Sequence, residues 1–167
     1  MTKTASVNVN ALPSAGVAAE AGGGGGVAET KVANKTTIET KAGKVNITIA
    51  DISAGNTTNV PIPKTQDVAV VRLEITVINA TKNVLISVNK LDQKPTEITK
   101  EVAGTVYNYF QIDKKNIEDT NIKTARLDFK VEKSWLDLNN INDTTVSLYR
   151  WDGSGWNKVF TSRVNED

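Results

Sequence analysis

The stretch VRLEITVINATKNVLISVN, residues 71–89, decides the fold class of this 167-residue chain. Apolar residues take every second position on both sides of its middle: Val71, Leu73, Ile75 and Val77, then Val84, Ile86 and Val88. A period of two is the pattern of a strand with one buried face and one polar face. The polar break between the two runs, which contains Asn79, Thr81 and Asn83, predicts a hairpin connection.

Further strands are predicted on both sides of this stretch. Alternating or aromatic-rich runs with β propensity occupy residues 45–49, 106–112, 125–131, 146–151 and 156–161. The last two flank Asp152-Gly153-Ser154-Gly155, a turn sequence with glycine where a positive φ is needed. Seven or eight short strands at this spacing predict an all-β fold, an antiparallel β-sandwich of Ig-like or jelly-roll-like type. One short helix is predicted, at residues 133–139.

The apolar faces of these strands predict a single core. Hydrophobic residues make up 39% of the chain and charged residues 23%, which suits a packed domain rather than a disordered chain. We expect the core to consist of Ile47, Ile49, Leu73, Ile75, Val77, Val84, Ile86, Val88, Leu127, Phe129 and Val131.

Residues 1–28 differ from the predicted domain at residues 29–167 and form an extended N-terminal arm. The arm ends in five consecutive glycines, residues 22–26, which indicate a hinge because glycine has the largest backbone entropy. No Gly-Lys-Ser/Thr follows the run, so it is not a phosphate loop. Before the hinge, small apolar residues alternate with polar ones until Pro13: Ala5, Val7, Val9 and Ala11. This pattern predicts a one-sided strand without a partner nearby in sequence.

The residue inventory excludes many functions. The chain has no histidine and no cysteine, so histidine-based triads, thiol chemistry, disulfides and typical zinc sites are excluded. The carboxylate pairs Glu118–Asp119 and Asp137–Asp143 are interpreted as solvated loop charges. We therefore predict no enzymatic activity, no catalytic residues, no cofactor and no metal site. A net charge of +1 predicts no nucleic-acid partner, and no apolar run reaches membrane-spanning length.

Two features point to carbohydrate. Five Asn-X-Ser/Thr sequons predict covalent glycosylation of an exported protein, at Asn34, Asn46, Asn56, Asn79 and Asn142. Six aromatic residues are candidates for a sugar-stacking platform, although such residues in a small β domain more often belong to the core: Tyr107, Tyr109, Trp135, Tyr149, Trp151 and Trp156. No signal peptide is recognised at the start of the sequence.

Several segments together resemble the archaeal PGF-pre-PGF domain. These are NATKNV at 79–84, VNKLDQKP at 88–95, GTVYNY at 104–109, VEKSWL at 131–136, and VSLYRW at 146–151 with Gly155-Trp156. The resemblance covers about residues 29–167. It implies an exported, often glycosylated protein associated with an archaeal surface layer, and it carries no catalytic residues. The sequence lacks the aromatic strand and the Thr-Pro-Gly-Phe segment that end the family's domain.

A sandwich without that last strand would expose core and an unpaired edge, and the arm is a strand without a sheet. We therefore predict donor-strand exchange, in which residues 4–12 of one subunit add to the sheet of the next and insert Ala5, Val7, Val9 and Ala11. Twenty-six extended residues span at most about 85–95 Å, enough to reach a neighbour. The predicted function is a structural subunit of an archaeal extracellular layer or filament, with itself as partner. The alternatives are an arm that folds back on its own domain, and a monomeric carbohydrate-binding or adhesion module.

Overall fold

The computed structural model describes residues 3–9, 36–63 and 68–164. Its strands are β1 (Lys3–Val9), β2 (Thr36–Lys41), β3 (Lys44–Ile52), β4 (Thr57–Pro61), β5 (Val70–Val77), β6 (Thr81–Leu91), β7 (Tyr109–Lys115), β8 (Ile122–Val131), β9 (Leu148–Trp151), β10 (Trp156–Val159) and β11 (Thr161–Val164). Its helical segments are α1 (Lys133–Leu138) and two 3-10 turns, Asp119–Asn121 and Asp143–Thr145. Among the described residues, no helix has the length and apolar character needed to cross a bilayer.

The strands form an antiparallel β-sandwich, which confirms the predicted fold class. One sheet has five strands in the order β11-β1-β8-β5-β4, and the other has four in the order β2-β3-β6-β7. Strands β9 and β10 form a separate two-stranded hairpin. Neighbouring strands in both sheets are antiparallel, so each sheet can bury one face and leave the other face polar.

The core lies between the two sheets and contains every residue predicted for it. The inner faces of β3 and β6 supply fully buried residues, with Ile47, Ile49 and Val88 at 0% exposure. The five-stranded sheet adds Leu127, Phe129 and Val131 from β8, together with alternate residues of β5. A register shift between Val70 and Arg72 changes the start of β5, so Val70 is buried in place of Val71.

The connection between β5 and β6 is not the predicted hairpin. Strand β5 pairs with β4 and β8, whereas β6 pairs with β3 and β7 in the other sheet. The backbone N–H of Ile78 donates to the backbone oxygen of Asn121 at 2.9 Å. The backbone N–H of Asn79 donates to Oδ1 of the same asparagine at 2.8 Å. These bonds fasten the connection to the turn before β8, and the chain crosses there between sheets. The hairpin prediction was wrong because alternation identifies a strand but not the sheet that it joins.

Three strands were not predicted, and one is displaced. Strand β2 is mostly exposed, β4 is short and ends at a proline, and β11 follows β10 after one residue. Strand β7 begins at Tyr109, three residues later than predicted. The predicted helix is confirmed as α1, with Leu136 buried against the core.

Candidate strand-acceptor site

Strand β1 lies between β8 and β11 and pairs with both. Its partners on β8 are, in order, Lys3↔Val131, Thr4↔Lys130, Ala5↔Phe129, Ser6↔Asp128, Val7↔Leu127, Asn8↔Arg126 and Val9↔Ala125. On its other side it pairs with β11 from Thr4↔Val164 to Val7↔Thr161. We call the space between β8 and β11 the acceptor slot. The described strand Lys3–Val9 covers most of the predicted arm strand, and the rest of that prediction, including Ala11, lies outside the described residues.

The register pairs alternate residues of the arm strand with core positions of β8. Ala5 lies opposite Phe129 and Val7 lies opposite Leu127, and both of these β8 residues are buried in the core. On its other side Ala5 lies opposite Arg163 and Val7 opposite Thr161 of β11. The alternation in the arm sequence therefore agrees in period with the core positions of β8.

The strand in this slot belongs to the same chain as its sheet. Residues 10–35 connect Val9 of β1 to Thr36 of β2, and the five-glycine run falls among them. The predicted hinge, like the sequon at Asn34, lies outside the described residues. In this single chain the arm pairs with its own domain, which is the fold-back arrangement named above as an alternative.

The other face of the five-stranded sheet carries four charges that we call the charge cluster: Arg72, Glu74, Arg126 and Asp128. The Asp128 side chain is only 3% exposed. Its Oδ2 accepts a hydrogen bond from Arg72 Nε at 2.5 Å and contacts Arg72 Nη2, and its Oδ1 accepts one from Arg126 Nε at 3.2 Å. Glu74 lies 3.7 Å from a guanidinium nitrogen of each arginine. A buried carboxylate is tolerated because two guanidinium groups neutralise it and satisfy its oxygens.

The sequence analysis missed the charge cluster. Its members occupy polar positions of two alternating runs, but Arg72 and Asp128 are 56 residues apart. The cross-strand register of β5 and β8 brings them together. The signal in the sequence is the order of charges, Arg-X-Glu on one strand and Arg-X-Asp on the other.

The opposite side of the sandwich is less completely packed. Ile112 lies on the inner face of β7, opposite the fully buried Val88, yet it is 44% exposed. A cavity of about 560 Å³ lies there between the sheets, lined by residues that include Ile75, Ile86 and Leu127. Hairpin β9–β10 also contributes to its lining. We call β7 and this hairpin the open side.

Five of the six aromatic candidates take part in two groups of ring contacts, and the sixth, Tyr149, lines the cavity of the open side. Tyr107 packs edge-on against Trp135 of α1, with ring centroids 4.9 Å apart. Trp151 and Trp156 are directly paired across the hairpin, 5.5 Å apart, and Tyr109 lies 6.2 Å from Trp156. The indole N–H of Trp156 donates to the Lys100 carbonyl at 2.9 Å. The five rings therefore pack in two groups, and the indole of Trp156 is also bonded to the backbone.

Asp152 organises the predicted turn of hairpin β9–β10. Its Oδ1 accepts hydrogen bonds from the backbone N–H of Ser154 at 2.8 Å and of Gly155 at 2.9 Å, and Gly153 has the expected positive φ of 96°. These backbone bonds, followed by those from the side chains of Ser154 and Asn157, hold the pKa of the Asp152 carboxyl far below its usual range. The perturbed carboxyl is therefore explained by turn geometry.

The described sequons differ in accessibility. Asn56, Asn79 and Asn142 are exposed, whereas Asn46 is half-buried in β3 and its Oδ1 accepts a hydrogen bond from Ser87 Oγ at 2.9 Å. Asn142 Oδ1 accepts from the N–H of Thr144 at 3.0 Å and from its Oγ1 at 2.9 Å, so this side chain caps a 3-10 turn. Asn56 and Asn79 lie in exposed connections between strands.

Three of the four carboxylates in the two predicted pairs form ion pairs with basic residues. Asp119 lies 3.0 Å from Lys114, Asp137 contacts Lys133, and Asp143 lies 3.5 Å from Arg163. Within the described ranges, no group of three or more His, Cys, Asp or Glu side chains is placed to hold a metal ion.

Comparison of the chain with protein-family models, with curated proteins and with solved structures gives no match. The resemblance to the PGF-pre-PGF domain therefore stays a prediction from the sequence.

Proposed function

We propose that this chain is a non-enzymatic structural subunit of an archaeal extracellular surface layer or filament, whose subunits join by donor-strand exchange. One observation carries the proposal. Strand β1 completes the five-stranded sheet between β8 and β11, although 26 residues, 10–35, separate it from the next strand of the sandwich. A strand that is central in the sheet but remote along the chain is one that another copy can supply.

The geometry of exchange favours an open assembly. If each copy places its arm in the slot of the next, the contact is head-to-tail, and such contacts form filaments unless the rotation closes a ring. The backbone hydrogen bonds to β8 and β11 would be the same within one chain and between chains. The partner is thus the chain itself, with no nucleic acid and no membrane insertion.

The archaeal and extracellular parts of the proposal have a different support. They rest on the sequence resemblance and on the sequons, of which Asn56 and Asn79 are exposed in connections where a glycan is solvated. In this proposal, glycans are attached covalently to sequon asparagines. The alternative, a monomeric carbohydrate-binding module, has less support because the hairpin tryptophans pack against each other.

Cysteine cross-linking tests the exchange, since the chain has no cysteine of its own. Thr4 lies opposite Lys130, and directly paired positions are close enough for a disulfide. A full-length Thr4→Cys chain is mixed with a full-length Lys130→Cys chain that carries a different mass tag. We expect a disulfide-linked heterodimer under mild oxidation, identified by mass spectrometry.

The matched control is a Ser6→Cys chain mixed with the Lys130→Cys chain, a pair two residues out of register. This control should link much more slowly. A second measurement is electron microscopy after deletion of residues 1–12, which should abolish polymers. Absence of the linked heterodimer, or polymers that survive the deletion, would end the donor-strand proposal.

A further inference from the structure

Strand β7 is an edge of the four-stranded sheet in the described part of the chain. It pairs with β6 on one side, and its residues 111–115 are exposed. Its inner residue Ile112 is 44% exposed although it lies opposite the buried Val88. An edge strand presents unpaired backbone N–H and C=O groups, which can pair with a further strand. A strand added along β7 would pair this backbone and cover Ile112.

The sequence of β7, YFQIDKK, is complementary to itself when it is turned end for end about its middle residue, Ile112. In the antiparallel register around a two-fold axis at Ile112, all seven residues of the strand are paired. Inner positions meet inner positions, because the paired residues are an even number of places apart. No like charges lie opposite each other in the resulting pairs: Ile112 with Ile112, Gln111 with Asp113, Phe110 with Lys114 and Tyr109 with Lys115.

Other registers and two other edges of the sandwich fit less well. An axis at Asp113 sets two carboxylates opposite each other, and like charges at paired positions destabilise a ladder. An axis at Gln111 sets Lys114 and Lys115 opposite residues that precede the strand. The edge at β4 ends at Pro61, which has no N–H to donate. The edge at β2 has six residues, so a two-fold axis that pairs its ends sets inner positions opposite outer ones.

We infer that β7 is a self-association surface, at which the β7 edge of a second copy pairs antiparallel about a two-fold axis at Ile112. The contact joins two four-stranded sheets into one continuous sheet. It goes beyond the proposed function, because it lies at a different surface from the acceptor slot and requires no strand exchange. An isologous contact closes at two copies. Combined with head-to-tail contacts at the slot, it would connect filaments side by side into a layer.

The lysine in the inner row of β7 is compatible with this contact. An inward-pointing charge can protect a sheet edge from pairing. Here the Lys114 ammonium already has partners beyond the end of its own strand, since Nζ donates to the backbone oxygen of Ile117 at 2.9 Å and lies 3.0 Å from Asp119 Oδ1. The two-fold register places Phe110 of the second copy opposite Lys114. An aromatic ring is a favourable neighbour for a cation and its alkyl stem.

Cysteine trapping tests the contact, since the chain has no cysteine of its own. Two sets of full-length chains place cysteines at paired positions: Ile112→Cys alone, and Gln111→Cys mixed with a differently mass-tagged Asp113→Cys. Hydrogen-bonded and non-hydrogen-bonded pairs alternate along an antiparallel ladder, so one set falls on the closer, non-hydrogen-bonded pairs. We expect that set to form disulfides between chains at least about 10-fold faster than Gln111→Cys or Asp113→Cys alone.

The separate Gln111→Cys and Asp113→Cys chains are the matched controls. Their cysteines lie at exposed positions of the same strand but two residues out of register with themselves. If neither paired set links faster than these controls, the inference is overturned. Fastest linkage in one of the controls would overturn it as well, because the axis would then lie elsewhere.

Sedimentation of chains without cysteine gives a second measurement. Ile112→Lys sets two lysines opposite each other at the axis, and we expect it to raise the dissociation constant of the dimer at least about 5-fold. Leu138→Lys makes the same change of charge at an exposed position of α1 and should leave the constant unchanged. An equal effect at both positions, or a native chain that stays monomeric at its highest soluble concentration, would overturn the inference.

The result is separable from the proposed function. Heterodimers of Thr4→Cys and Lys130→Cys chains report strand exchange at the slot, whereas disulfides at residues 111–113 report the β7 contact. Absence of the first with the second present would end the filament proposal and leave the edge contact standing. The reverse outcome would end only the edge contact.

Discussion

The two sides of the sandwich show what an added strand does for a sheet. On one side, β8 has β1 along its edge, and the inner residues Leu127 and Phe129 are 2% and 6% exposed. On the open side, β7 is the last strand of its sheet among the described residues, and its inner residue Ile112 is 44% exposed beside a cavity. Both strands carry apolar residues toward the core. The difference goes with position and with sequence: β8 has a strand on each side, whereas β7 has a neighbour on one side among the described residues and carries Lys114 in its inner row.

The largest expected effect is on the covered side. Phe129→Ala removes a buried ring opposite Ala5, and we expect it to lower the free energy of unfolding by about 3–5 kcal/mol because it leaves a cavity. Ile112→Ala is the matched change on the open side and should cost less than about 1 kcal/mol, since that side chain is already in contact with water. Denaturant unfolding measures both. Similar costs at the two positions would contradict the comparison.

An intermediate effect is expected at the hairpin of the open side. Trp151→Ala breaks the edge-to-face pair with Trp156 and should destabilise the fold by about 1–2 kcal/mol, with no other activity lost. Thermal unfolding together with binding to a glycan array checks this. A specific loss of glycan binding at unchanged stability would instead support the carbohydrate-binding alternative.

The smallest effect is a pH dependence at the turn of the same hairpin. The pKa of Asp152 is lowered by its hydrogen bonds, so the fold favours the ionised carboxyl and this contribution is complete above the usual Asp pKa of about 3.9. It is lost as the pH falls from that value toward the lowered pKa. Asp152→Asn should therefore have a lower melting temperature than the native chain at neutral pH, and the gap should narrow at about pH 2–3. A difference in melting temperature that does not change with pH would show that it comes from the shape of the asparagine side chain and not from the lost charge.

The alternation of apolar residues predicted the strands that make the core, and it did so at β3, β5, β6 and β8. It failed where burial is incomplete, as in β2, because an exposed strand needs no apolar period. It also could not say that β5 and β6 join different sheets, since this depends on bonds to the distant Asn121. The arm was predicted as a strand from the alternation of Ala5, Val7, Val9 and Ala11. The place of β1 between β8 and β11 follows from pairing that no local pattern contains.

If the proposed strand exchange occurs, the 26-residue connection between β1 and β2, residues 10–35, makes assembly depend on concentration. Each arm would then either close on its own domain or enter the domain of another copy, as in the ring–chain equilibrium of a polymer. Tethers of a few tens of residues give effective concentrations on the order of millimolar. Chain growth would then begin when the concentration of neighbouring domains exceeds that value. Dilute protein would remain as closed monomers, and crowding on a two-dimensional surface would be sufficient to open them into filaments.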